Sequence, residues 1–258
     1  MSYNAKSFGT LEHTYSYKQK VSVSFDTLLF DSSADIKVLV QIEPNQIYNI
    51  KEKMIWNQSK FDLILSWDED ILEKCKNSKQ FVFGTSWVDP KKLNLNKQNE
   101  ISFLTSDKNY LPGHLLRQEI YQYLRLNKSI NDFKVLNLRS PPRIQSKDVL
   151  FEKSKYSIAV ENVKVNNFIT EKLIDCFVSK TIPIYYGCPN VGNFFNSDGI
   201  LHFDTLDELK KLLHGLTPEF YEQNQKCVEE NYQKSLEYVD FHERIKKEIE
   251  QYIQVKLF

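Results

Sequence analysis

Apolar positions in this chain come in short continuous runs separated by stretches with helical spacing. Val38–Ile42 reads as a buried strand ended by Glu43-Pro44-Asn45, and Phe61–Ser66 as a second strand, followed by a helix over 70–76. Gln80–Phe83 reads as a third strand, broken at Gly84. The segment Asp89–Glu100 is rich in Asn and Lys and has little to bury, so it is the best linker candidate. The pattern then restarts with a strand over Ile101–Thr105 and a helix over Leu115–Leu126. A strand over Lys134–Leu138 precedes a Pro141-Pro142 turn.

Next comes the most informative stretch, Tyr156–Gly187. It predicts a buried strand (Tyr156, Ile158, Ala159, Val160) ending in Glu161 and Asn162, a polar loop, and a helix opening at Thr170-Glu171-Lys172. A second strand over Ile182–Tyr186 closes at Gly187. Two strands joined by a helix form a right-handed parallel crossover. Further on, Ile200–Phe203 reads as a short strand and Thr205–Glu208 as a capping box opening a helix that ends near His214-Gly215. Thr217-Pro218-Glu219 starts another helix, and the chain stays helical and charged to Val255 with a break near Asp240. Strands alternating with helices predict an α/β protein with parallel layers, divided into an N-terminal domain over 1–98 and a C-terminal domain with terminal helices over 99–258.

In the predicted crossover, the polar end of the first strand and the start of the helix face the crevice where open α/β sheets bind ligands. Unpaired N–H groups and the positive dipole end of that helix favour an anion, and Lys172 in the first turn strengthens the field. A lysine there opposes an isolated helix but suits a phosphate or diphosphate. The plain alternative is a solvated Lys172 beside an ordinary Thr170 cap.

Composition narrows the choices. The 34 basic and 34 acidic residues cancel with no long run of one sign, which argues against a nucleic-acid or membrane-surface protein held by bulk charge. Seven glycines form neither a dinucleotide-binding fingerprint nor a Walker sequence, and there is no nucleophile elbow. The five histidines lack metal-ligand spacing. The four cysteines (Cys75, Cys176, Cys188, Cys227) form no C-x-x-C pair and read as reduced thiols of a cytoplasmic environment. There is no signal-peptide core and no transmembrane segment in the sequence, so a soluble protein is expected.

Two features have competing readings. Asp68-Glu69-Asp70 follows a strand, as a metal-binding D-x-D of a nucleotide-sugar transferase would. It also begins a helix, where acidic residues match the dipole. His114, beside the Arg117 helix start, could touch a ligand but reads more simply as a surface histidine.

Tyr156–Gly187 and its continuation CPNVGNFF resemble the α-1,3-fucosyltransferase family, glycosyltransferase family 10. The shared run is strand, Glu161-Asn162, loop, aromatic Phe168, Thr170-Glu171-Lys172, amphipathic helix, and Thr181-Ile-Pro-Ile-Tyr-Tyr-Gly187. Arg117–Leu124 looks like the family's helix with a phosphate-binding arginine, and pieces around Phe61–Asp68 and Phe83–Trp87 look like small bacterial and viral members.

The resemblance implies two Rossmann-like domains of GT-B type, with no bound metal or other cofactor, transferring fucose from GDP-fucose to a glycan acceptor with inversion. On the donor side it implies that Arg117 and Lys172 neutralise the diphosphate, that Glu171 hydrogen-bonds the ribose or guanosine side, and that Asn162, Phe168 and Thr170 line the donor. Glu161 competes for the part of catalytic base, but its place on the donor-binding domain favours an orienting role. Phe168 departs from the usual tyrosine. The family's catalytic base, a glutamate ending an early strand, corresponds by context to Glu43. Two other readings stay open: a metal-dependent transferase using Asp68 and Asp70, and a nucleotide-sugar or glycan-binding module without catalysis.

Overall fold

The computed structural model describes residues 8–9, 19–140 and 146–256, so the predicted Pro141-Pro142 turn lies outside the described residues. The chain divides into two compact units. Unit 1 gathers residues 1–83, 166–168 and 241–258, and unit 2 gathers 84–165 and 169–240. The division expected at 98/99 follows the sequence, whereas these units interleave along it.

Unit 1 is built on a sheet of order β1 (Phe8–Gly9), β2 (Val21–Phe25), β3 (Ile36–Val40), β4 (Leu63–Ser66) and β5 (Ser78–Gln80). β1 is antiparallel to β2, and the other neighbours are parallel. Two short helices, α1 (Lys51–Trp56) and α2 (Glu69–Lys74), belong to it. Met54, Ile64, Leu39, Phe61 and Ile71 form one of its cores.

Unit 2 carries β6 (Gln98–Ser106), α3 (Pro112–Leu126), β7 (Ser129–Ile130), β8 (Phe133–Ser140), α4 (Asp148–Phe151), β9 (Ser154–Val160), α5 (Glu171–Val178), β10 (Ile182–Tyr186) and β11 (Leu201–His202). Helices α6 (Leu206–Gly215), α7 (Pro218–Gln223) and α8 (Gln225–Ser235) complete it. The sheet order is β11-β10-β9-β6-β8-β7, parallel except for the β7–β8 pair. β9 and β10 pair in parallel from Tyr156–Ile182 to Val160–Tyr186, as the predicted crossover requires. Ile101, Phe103, Ile120, Phe133, Tyr156 and Ile184 lie in the principal core of this unit.

The expected linker ends inside unit 2. Its last residues, Gln98–Glu100, belong to β6. The Lys97 ammonium donates to the carbonyls of Phe151 (2.5 Å) and Ser154 (2.9 Å) and to Thr181 Oγ1 (2.7 Å).

Helix α9 (Phe241–Lys256) begins at the break expected near Asp240 and belongs to unit 1. It buries Phe241, Ile245, Ile249 and Ile253, a stripe of four-residue spacing. The Phe241 ring lies 4.8 Å from that of Phe83 and 5.8 Å from that of Phe81. Glu248 of α9 is ion-paired to Lys79, and Lys256 to Asp62 at 3.0 Å.

Candidate active site

Within unit 2, the candidate site gathers where β9 ends and where α3 and α5 begin. Thr170, in extended conformation, caps α5 by accepting the Lys172 N–H. Glu161, fully buried at the end of β9, accepts the Thr170 N–H at 2.9 Å and its hydroxyl at 2.7 Å. The glutamate therefore fixes the residue from which α5 starts.

Two glycines permit this convergence. A Cβ on Gly113 would lie 1.8 Å from the Glu161 carbonyl oxygen, so only glycine lets the first turn of α3 close on the end of β9. Its N–H donates to the Asn162 carbonyl at 3.0 Å. A Cβ on Gly187 would lie 2.6 Å from Glu161 Cγ.

Arg117 projects from α3 onto the same strand end. Its guanidinium donates to the Val160 carbonyl at 2.6 Å and to Asn162 Oδ1 at 2.8 Å. Lys172, a quarter exposed, places its ammonium 3.1 Å from Glu171, 3.6 Å from Glu161 and 3.2 Å from Thr170 Oγ1.

The two carboxylates beside Lys172 behave differently. Burial raises the Glu161 carboxyl above its ordinary range, more than the Lys172 charge lowers it. Burial also acts on Glu171, but Lys172 and Lys147 outweigh it and hold that carboxyl down to about 2. Burial opposes the charge on Lys172, yet Glu171 and Glu161 together hold its ammonium above the usual lysine value. The site thus keeps a charged Lys172–Glu171 pair next to a buried guanidinium.

Three participants were not assigned from the sequence. Asp175, fully buried one turn along α5, accepts from Lys147 Nζ (3.0 Å), Ser86 Oγ (2.9 Å) and the Trp87 N–H (2.8 Å). Lys147 lies 3.9 Å from Glu171 and 4.1 Å from the centre of the Trp87 ring. The available signal was a lone carboxylate four residues after Glu171 in an otherwise apolar helix. The third is His114, expected at the surface but 1% exposed, with the Tyr110 ring edge-on 4.5 Å from it.

The remaining sequence candidates lie in unit 1. Phe168 is buried with its ring 4.9 Å from that of Trp67, and the preceding Asn167 takes a left-handed φ of 61° and donates to the Trp67 carbonyl. Glu43 is half-buried just beyond β3, its N–H donating to Asp26 Oδ2 at 3.0 Å. Thus the structure brings Arg117, Glu161, Asn162, Thr170, Glu171 and Lys172 into one network, while Phe168 and Glu43 belong to the other unit.

Asp68 and Asp70 share one cation, Lys51 Nζ, at 2.8 and 2.7 Å. Asp68 also caps α2 by accepting the Asp70 N–H. Among the described residues, no three His, Cys, Asp or Glu side chains are grouped to hold a metal ion, and no helix is long and apolar enough to cross a membrane. The four cysteines are free, three of them buried.

Comparison with known proteins places this network in a family. A Helicobacter pylori alpha-(1,3)-fucosyltransferase, FucT, is 32% identical over 124 residues, covering 46% of this chain and 25% of that protein. An Arabidopsis thaliana putative fucosyltransferase-like protein is 24% identical over 94 residues, 36% of this chain and 18% of its own length. The matched segments therefore span a quarter or less of these curated relatives. A crystal structure of the pneumococcal O-GlcNAc transferase GtfA with UDP and GlcNAc superposes with a TM-score of 0.50 over 84% of this chain and 53% of that one, at 11% identity, a likeness of fold alone. The sequence model for the C-terminal part of glycosyltransferase family 10 (fucosyltransferase) matches residues 95–257, well over half of the chain and all of the Arg117–Lys172 network, and the chain belongs to that family.

Proposed function

We infer that the chain is an inverting, metal-independent fucosyltransferase of GT-B architecture, taking fucose from GDP-fucose to a glycan hydroxyl. Its two units would act as Rossmann-like domains, unit 2 on the nucleotide-sugar side and unit 1 on the acceptor side. The observation that carries the reading is the pairing of Arg117 and Lys172 around one strand end and one helix N-terminus. In the reaction, the acceptor oxygen attacks the anomeric carbon, the bond from that carbon to the diphosphate oxygen breaks, and GDP leaves with the bonding electrons. Two fixed cations and oriented amides stabilise that developing charge without reorganising during the step. Glu171 would meet the ribose side of the donor, while Asn162, Thr170 and the Phe168 segment would shape the rest of the donor site. Glu161 would act by holding Thr170.

The acceptor hydroxyl must also lose its proton, and Glu43 is the residue we assign as base. Lys51 already occupies both Asp68 and Asp70, which favours the metal-independent reading over a metal site there.

Calorimetric titration with GDP tests the donor assignment. The parent should bind and Lys172→Ala should lose binding by a hundred-fold or more, whereas equal affinities would refute it. Glu43→Gln should keep GDP affinity and lose transfer to a glycan acceptor, and normal turnover would remove Glu43 from the mechanism. GDP binding by the parent without transfer to any acceptor would point instead to a binding module.

A further inference from the structure

The side chain of His114 is buried, and neither ring nitrogen has a hydrogen-bond partner. Such orphaned buried groups are uncommon in folded proteins and costly to leave unpaired. The position of this one is informative. His114 sits in the first turn of α3, three residues before Arg117 and therefore on the same face of the helix. That turn has no side-chain cap, since Leu111 occupies the cap position.

The groups acting on the imidazole define its surroundings. Burial is the largest influence, followed by the positive charges of Arg117 and Lys108, with a smaller one from Lys172. The Asn162 side chain, near enough for a weak contact but not placed for a well-formed hydrogen bond, acts in the opposite sense, and the balance pushes the imidazole down to about 4. At neutral pH the ring is therefore uncharged, and neither nitrogen has a well-formed hydrogen bond. The Tyr110 ring stands edge-on 4.5 Å from it and is itself 59% exposed, so moving that ring aside for a ligand costs little packing.

We propose that His114 is a further donor-binding residue, a neutral imidazole whose ring N–H donates to the diphosphate held by Arg117 and Lys172. The idea rests on the diphosphate assignment above and adds a third contact to it. It explains why an unpartnered imidazole is kept beside two cations: the missing acceptor is an anionic ligand. A neutral donor contributes a directed hydrogen bond without adding a third positive charge to a crowded site.

The test measures GDP, inorganic diphosphate and guanosine affinities for the parent, His114→Phe, His114→Asn and Lys172→Ala. Phenylalanine keeps the ring shape without nitrogens, and asparagine restores a donor. His114→Phe should bind GDP and inorganic diphosphate about ten-fold more weakly, ~1.4 kcal/mol, with guanosine affinity unchanged. His114→Asn should recover most of that loss. Unchanged GDP affinity in His114→Phe, or an equal loss for guanosine, would overturn the proposal.

The outcomes separate the two ideas. If the parent binds no GDP, or Lys172→Ala binds it normally, the diphosphate assignment fails. If Lys172→Ala loses GDP while His114→Phe keeps it, only the role of His114 fails. Should His114→Phe not fold, 15N spectra of the histidine-labelled parent give the answer directly. The lowest-titrating ring should shift on GDP addition, and its indifference to GDP would refute the contact.

Discussion

Arg117 is the residue whose replacement should tell on ligand binding and architecture together. It is 6% exposed and serves two acceptors, the Val160 carbonyl at 2.6 Å and Asn162 Oδ1 at 2.8 Å. Arg117→Ala removes both bonds at the buried end of β9. Hydrogen bonds from a charged donor contribute about 1.5–3 kcal/mol each, so the loss should total about 3–4 kcal/mol after some relaxation. At about 2–4 °C per kcal/mol for a protein of this size, the ligand-free Tm should fall by about 6–16 °C. The measurement is a thermal melt without nucleotide, alongside a GDP titration below the new Tm. Arg117→Lys keeps the charge but cannot fork to both acceptors, so it should fall between alanine and parent in stability. If Arg117→Ala melts within about 1 °C of the parent, the guanidinium clamp contributes nothing to the fold and the reasoning from these two bonds is wrong.

Two further perturbations follow from the same geometry. Gly113→Ala puts a Cβ 1.8 Å from the Glu161 oxygen and should force the first turn of α3 away from β9, costing about 2–3 kcal/mol in urea unfolding and weakening GDP binding as Arg117 moves; an unchanged urea midpoint would refute that. Burial lifts the Asp26 carboxyl to about 7, more than the Ile42 and Glu43 amide bonds lower it, with the Glu43 charge adding to the rise. Because this folded value exceeds the unfolded one, its contribution is complete below about pH 4 and is lost as pH rises through about 7. Chemical denaturation should therefore find stability falling over that interval in the parent and a flatter profile in Asp26→Asn, and a flat parent profile would refute the reading.

What could be read from the sequence follows from what kind of burial each element has. Strands buried on both faces, such as Ile182–Tyr186, are continuous apolar runs and were legible. β2 was not, because Ser22 and Ser24 break its run although all five residues are buried. Those hydroxyls are satisfied locally, Ser22 accepting from the Asp31 N–H and Ser24 donating to the Leu29 carbonyl. The segment before Ile101 looked like a linker for a similar reason: Lys97 is polar in composition, yet its ammonium is enclosed by three acceptors. The network around Lys172 was largely legible because Glu161, Asn162, Thr170 and Glu171 are near in sequence, and Arg117 came through the resemblance. His114 was misplaced because the spacing of a helix-start histidine does not distinguish a buried ring from a solvated one.

The interleaving of the two units bears on how the chain is made. Residues 1–83 leave the ribosome before residues 84–240, but the unit they begin also needs Phe241, Ile245, Ile249 and Ile253 of α9 for its core. Unit 2, drawn entirely from residues 84–240, has all its parts earlier. The usual order of synthesis, in which the first domain made is the first to fold, is therefore reversed. The strands of unit 1 must wait through the synthesis of unit 2 with an apolar face uncovered, and a ribosome stalled before Phe241 would hold a finished second unit and an unfinished first one.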